Sequence, residues 1–125
     1  LGTREIEEAV SAHPAIAEVA VVGVADQLKG QMPLAFAVVK DAASAATPEL
    51  RAALEKEVMA KVDSLLGAIG RPKRVYFITQ LPKTRSGKVL RRSIQAVAEG
   101  RDPGDLTTLD DPVGIQMVKD AVDGK

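Results

Sequence analysis

Apolar residues recur along this chain with two different periods, and the switches between them outline its elements. Ile6, Ala9, Val10 and His13 lie three or four apart, which predicts a first helix ended by His13-Pro14. Thr3 is its expected N-cap. Glu5, Glu7 and Glu8 fill the first turns, where carboxylates oppose the positive helix end. Ala17–Val24 is apolar apart from Glu18 and Gly23 and rich in β-branched residues, which predicts a buried strand, and Leu34–Val39 predicts a second. The polar stretch Asp26–Pro33 reads as a long connection between an antiparallel pair. After the small-residue loop Asp41–Thr47, Thr47-Pro48-Glu49 combines a capping hydroxyl, a proline at the first helical position and an acid. Leu50, Leu54, Val58, Val62 and Leu65/Leu66 then form a stripe that Gly67 and Gly70-Arg71-Pro72 stop. Arg74–Thr79 predicts a third strand, Leu90, Ile94 and Val97 a helix ending before Gly100, and Val113–Val122 a short final helix. The order α-β-β-α-β-α predicts an α/β (α+β) fold with a small three-stranded sheet flanked by helices. That domain is expected over residues 1–100, with an acidic tail over 101–125.

Composition narrows the class. At 125 residues and 46% hydrophobic content the chain is sized for one globular domain. No apolar run approaches the ~20 residues of a membrane span, so no membrane partner is expected. Without cysteine there is no disulfide framework, which fits a cytoplasmic location. The chain begins at Leu1 and is expected to be part of something longer. The formal charge of zero hides a segregation: residues 64–98 hold eight basic side chains and no acid, between flanks that are each net acidic. Such a block predicts a local field that attracts anions. A nucleic-acid partner is not expected, because Tyr76 and Phe77 sit inside a strand and no other stacking platform accompanies the block. A lone His13 and scattered acids predict no metal site.

Candidate chemistry concentrates in Leu81-Pro82-Lys83-Thr84-Arg85-Ser86-Gly87-Lys88, between a strand and a helix. Thr84, Ser86 and Gly87 disfavour regular structure there, and Lys88 can project a compact positive charge from the end of the loop. The match to a phosphate-binding P-loop fails, since Pro82 stands where its first glycine belongs and Val89 where its Ser/Thr belongs. From the residues alone the loop suits phosphate, carboxylate, nucleic acid or an acidic partner equally.

Leu81–Arg92, read as Leu-Pro-Lys-Thr-Arg-Ser-Gly-Lys-Val-Leu-Arg-Arg, closely resembles the signature near the C-terminus of acyl-CoA synthetases in the adenylate-forming superfamily. The opening Leu1–Glu7 resembles the start of their small C-terminal domain. His13-Pro14 through Val24, Lys29-Gly30-Gln31 and Arg71-Pro72-Lys73 fall in register with it, and Gly104–Pro112 is similar to the ending of the acetyl- and propionyl-CoA synthetase branch, most of all the bacterial propionyl members. The resemblance implies a two-step ligase. A short-chain carboxylate attacks the α-phosphate of ATP, accompanied by Mg²⁺, to give acyl-adenylate and pyrophosphate; the thiol of coenzyme A then displaces AMP. It implies that Lys88 is the catalytic lysine of the first step and that Thr84, Arg85, Ser86 and Gly87 shape its loop. It further implies that Arg71 and Lys73 meet the nucleotide phosphates of CoA, while Gly2, Lys29 and Gly30 line the pantetheine passage. Asp63 stands where the acetate-type branch places an arginine, which moves the expected CoA contacts towards Arg71 and Lys73, with Lys61 as a further candidate. The implied partners are a large N-terminal domain of the same enzyme and a protein acetyltransferase and deacetylase acting on Lys88. The alternatives are an acetate-preferring enzyme and a non-catalytic module that binds CoA or another phosphate-rich ligand.

Overall fold

The structure, a computed structural model, describes residues 2–26, 28 and 30–124. Helix α1 (Thr3–Ser11) leads into strands β1 (Ile16–Asp26) and β2 (Gly30–Val39), followed by the long helix α2 (Pro48–Leu66), strand β3 (Arg74–Phe77), and helices α3 (Arg91–Ala98) and α4 (Val113–Asp123). The sheet order is β1-β2-β3, with β1 and β2 antiparallel and β2 and β3 parallel. The predicted order is present, with α4 closing it.

Strand alternation sorts the side chains into two cores. Val21, Ala35, Ala37 and Val75 face α1 and α2, meeting Ile6, Val10, Leu54, Val58 and Val62. Ala20, Val22, Leu34 and Phe36 face the other way, onto Ile78, Leu81, Ile94 of α3 and Val118 of α4. The result is three layers. The composition break at residue 100 is therefore followed by a helix that returns to the sheet, and the Ser93 hydroxyl donates to the Pro103 carbonyl at 3.1 Å on the way.

Three local expectations are corrected. Gly2 occupies the N-cap of α1 and Thr3 begins the helix, because the Glu5 carboxylate accepts the Gly2 N–H at 3.1 Å and leaves the threonine hydroxyl no capping task. The polar connection shrinks, since main-chain pairing runs on to Asp26↔Gly30 after side-chain burial has ended; a ladder needs only backbone. The α2 stripe is narrower than its spacing implies. Leu54, Val58 and Val62 are buried, whereas Leu50 and Leu65 at its ends overrun the sheet and are exposed.

Both sheet edges are closed by side chains, which satisfies backbone groups and blocks pairing with other chains. On β1, Glu7 accepts the Val21 N–H at 2.8 Å, Gln95 donates to the Gly23 carbonyl, and Glu99 accepts the Ala25 N–H at 2.6 Å. On β3, Glu55 accepts the Val75 N–H at 2.7 Å. Hydrogen bonds from Arg101, and then from Ala25, hold the Glu99 carboxyl below the usual carboxylate range. A carboxyl lowered by folding stabilises the native state above its unfolded pKa, and that contribution is lost as pH falls through the folded pKa. On acidification from neutral pH, the thermal midpoint of the wild type should therefore fall more steeply than that of Glu99→Gln. Parallel midpoint curves would refute the coupling.

Candidate functional site

The segment expected as an irregular loop is a short hairpin. Leu81 and Pro82 are buried and fix its base to the sheet, and the Leu90 N–H closes it on the Pro82 carbonyl at 3.0 Å. Lys83 and Val89 pair across it. Beyond them the Thr84 N–H donates to the Lys88 carbonyl at 2.9 Å and the Gly87 N–H to the Thr84 carbonyl at 2.9 Å. Arg85-Ser86-Gly87 is thus a three-residue hairpin loop with Gly87 at φ 91°, the left-handed position such loops reserve for glycine. Thr84 Oγ1 accepts the Lys88 N–H at 3.1 Å and lies 2.9 Å from Ser86 Oγ. Hydroxyl and glycine together shape the turn from which the exposed Lys88 projects.

The basic block does not survive folding as a single field. Arg71 meets Asp63, Arg74 meets Glu55, Lys83 meets Glu18 and Arg91 meets Glu7, each acid coming from the first half of the chain. Among the described residues, Lys73, Arg85, Lys88 and Arg92 of the block form no ion pair. Half of the charge is spent on holding elements together, and two of the remaining four cations belong to the hairpin. Sequence reasoning missed Glu18, which holds Lys83 at the hairpin's base; a single glutamate at the start of an apolar strand carries no signal of a partner 65 residues away.

The remaining candidates gather elsewhere. Glu18 lies near the start of β1, whereas Gly30 pairs with Asp26 at its end, about 25 Å away by strand rise. The Lys73 N–H donates to the Pro33 carbonyl at 2.8 Å, which places Lys73 and the preceding Arg71 towards the Gly30 end. Helix α1 runs back along β1 from the Glu7–Val21 contact, so Gly2 lies towards that end as well. Lys29 lies outside the described residues. Arg71 Nε is 3.8 Å from Asp63 Oδ1 and both side chains are half exposed, so this pair is worth about 0–1 kcal/mol and leaves the arginine recruitable. Lys61, on α2, forms no ion pair among the described residues. His13, at the opposite end of α1, is structural: its Nδ1 accepts the Ala15 N–H at 3.1 Å and its Nε2 lies 3.2 Å from Glu57.

Known proteins resemble this chain in both sequence and fold. Residues 5–88 match the AMP-binding enzyme C-terminal domain. The chain belongs to that family. It is 57% identical over 123 residues to the propionate–CoA ligase of Escherichia coli (strain K12), covering 98% of this chain and 20% of that protein. It is 48% identical to the acetyl-coenzyme A synthetase of Pyrobaculum arsenaticum, covering 97% of this chain and 17% of that one. Among solved structures, apo MatB from Rhodopseudomonas palustris superposes with a TM-score of 0.67 at 27% identity, over 80% of this chain and 18% of that chain. The Brucella canis acyl-CoA synthetase gives 0.60 at 36% identity, over 71% and 16%. The chain therefore spans about a fifth of the length of the relatives it matches. Among the described residues no helix is long and apolar enough to cross a membrane.

Proposed function

We propose that this AMP-binding C-terminal domain is the small moving part of a short-chain acyl-CoA synthetase, a propionate–CoA ligase, working with a large N-terminal domain that holds MgATP and the acyl group. The observation that carries the reading is the hairpin, whose glycine turn and threonine hydroxyl present Lys88 without a carboxylate partner among the described residues. In the first half-reaction propionate attacks the α-phosphate of ATP, an anion approaching an anion. An ammonium held between them offsets that repulsion and stabilises the charge that shifts on to the phosphate oxygens, most strongly once water is excluded. In the second, the CoA thiol attacks the acyl carbonyl, AMP leaves and the thioester forms.

The separation of the two residue groups along β1 supports one end of the domain serving each step. Arg71 and Lys73 meet the CoA phosphates, and Gly2, Lys29 and Gly30 border the pantetheine. Asp63 tethers Arg71 loosely enough for a phosphate to displace it. Acetylation of Lys88 by a protein acetyltransferase removes the charge that the first step needs, and a deacetylase restores it. A cytoplasmic location belongs to the same reading.

Propionate is favoured by the propionate–CoA ligase of Escherichia coli at 57% identity, whereas the acetyl-coenzyme A synthetase relatives at 48% support an acetate-preferring enzyme as the second reading. Pyrophosphate release by the full-length enzyme with acetate, propionate and butyrate decides between them. The highest kcat/KM is expected on propionate. A maximum on acetate establishes the second reading, and no release with any of the three leaves only the binding module.

A further inference from the structure

A two-stranded hairpin is marginal by itself, so something must hold the Lys88 turn in place. Leu109 forms an isolated antiparallel bridge with Thr84, the Asp110 N–H donates to the Lys83 carbonyl at 2.9 Å, and Arg85 Nη1 reaches the Thr107 carbonyl at 3.4 Å. Leu109 is buried. Next in the chain, Gly114 in the first turn of α4 lies directly on the hairpin's base. A Cβ there would come within 2.9 Å of Pro82 N and Cα, so only glycine permits the approach. Val118, one turn further on, is fully buried in the core with Leu81 and Ile94 and anchors the helix. The hairpin is thus gripped on one flank by Glu18 and on the other by residues 107–118, which lie beyond the 5–88 stretch matched by the family.

We propose that residues 107–118 are a brace that positions Lys88 for the adenylation step, with Leu109 and Gly114 as its positioning residues. The inference rests on the assignment of Lys88 made above. Its physical basis is that a charge displaced by about 1 Å from a reacting centre loses much of its effect, on the order of 10²-fold in rate. The brace acts only on the hairpin, so its loss should spare the thioester step, which uses the other end of the sheet.

The test uses the full-length ligase with Gly114→Val, Leu109→Ala and, as reference, Lys88→Ala. It measures ATP–pyrophosphate exchange, thioester formation from preformed acyl-adenylate, and amide hydrogen exchange at Thr84, Gly87 and Leu90. Both brace variants should slow pyrophosphate exchange by roughly 10–100-fold through kcat, with KM for ATP unchanged, speed hairpin amide exchange, and leave thioester formation intact. Equal loss of both half-reactions would mean general destabilisation and overturn the brace. Unchanged adenylation, with or without a loosened hairpin, would overturn it too. Should Gly114→Val fail to fold, Leu109→Ala carries the same outcomes. Wild-type adenylation in Lys88→Ala would instead refute the assignment of the lysine, while loss there alongside silent brace variants refutes the brace alone.

Discussion

Replacing Lys88 with alanine in the proposed full-length ligase should slow ATP–pyrophosphate exchange by roughly 10²–10³, or about 3–4 kcal/mol of barrier, as removal of one preorganised charge contact does. Thioester formation from preformed acyl-adenylate should continue at the wild-type rate. The asymmetry follows from where the residue sits. Lys88 leaves a hairpin whose base is tied near the start of β1, and the cations assigned to CoA lie towards the far end of that strand. Folding does not depend on its ammonium, which is exposed and forms no ion pair among the described residues, so the alanine variant should melt with the wild type. Quenched-flow measurement of each half-reaction provides the check. A matched fall in both would show that the two steps share one end of the domain.

Glu7→Ala should cost about 1–3 kcal/mol of stability. One carboxylate there does two jobs: Oε2 accepts the Val21 N–H at 2.8 Å and the Arg91 Nε at 2.9 Å, while Oε1 accepts Arg91 Nη2 at 2.7 Å. Arg91 is half exposed and regains water when the partner goes, so its share of the loss is small. Val21 is buried, and its orphaned amide bears most of that loss, about 1–3 kcal/mol. The same carboxylate raises the Arg91 pKa above its ordinary value, chiefly through their hydrogen bond. Glu7→Gln keeps an acceptor for Val21 and should fall between the two. Urea unfolding of the chain, with the slope unchanged, reads the loss. A midpoint within error of the wild type for the alanine variant would refute the edge-closing role.

Glu7 also marks the limit of what the residue order reveals. Beside Glu5 and Glu8 it reads as one more acid opposing a helix dipole, and Glu5 does serve the helix start. The acceptor geometry that gives Glu7 its second role arises only when α1, β1 and α3 converge. The basic block misleads in the same way: adjacent in sequence, its charges part company in space, four of them taken up by acids from the first half of the chain. The hairpin was half legible, since Ser86-Gly87 announces a turn, yet the bridge from Leu109 to Thr84 is invisible to any local pattern.

Periodicity, helix punctuation and the Leu81–Arg92 signature by themselves determined the element order, the three-stranded α/β core and the family, because each rests on neighbouring residues and on burial that repeats every two or about 3.6 positions. Tertiary structure alone decided which cations stay uncompensated, which acids close the sheet edges, and that the acidic tail returns to grip the hairpin. Those outcomes depend on side chains and amides brought together from distant parts of the chain, and pairing at that range leaves no period in the sequence to be read.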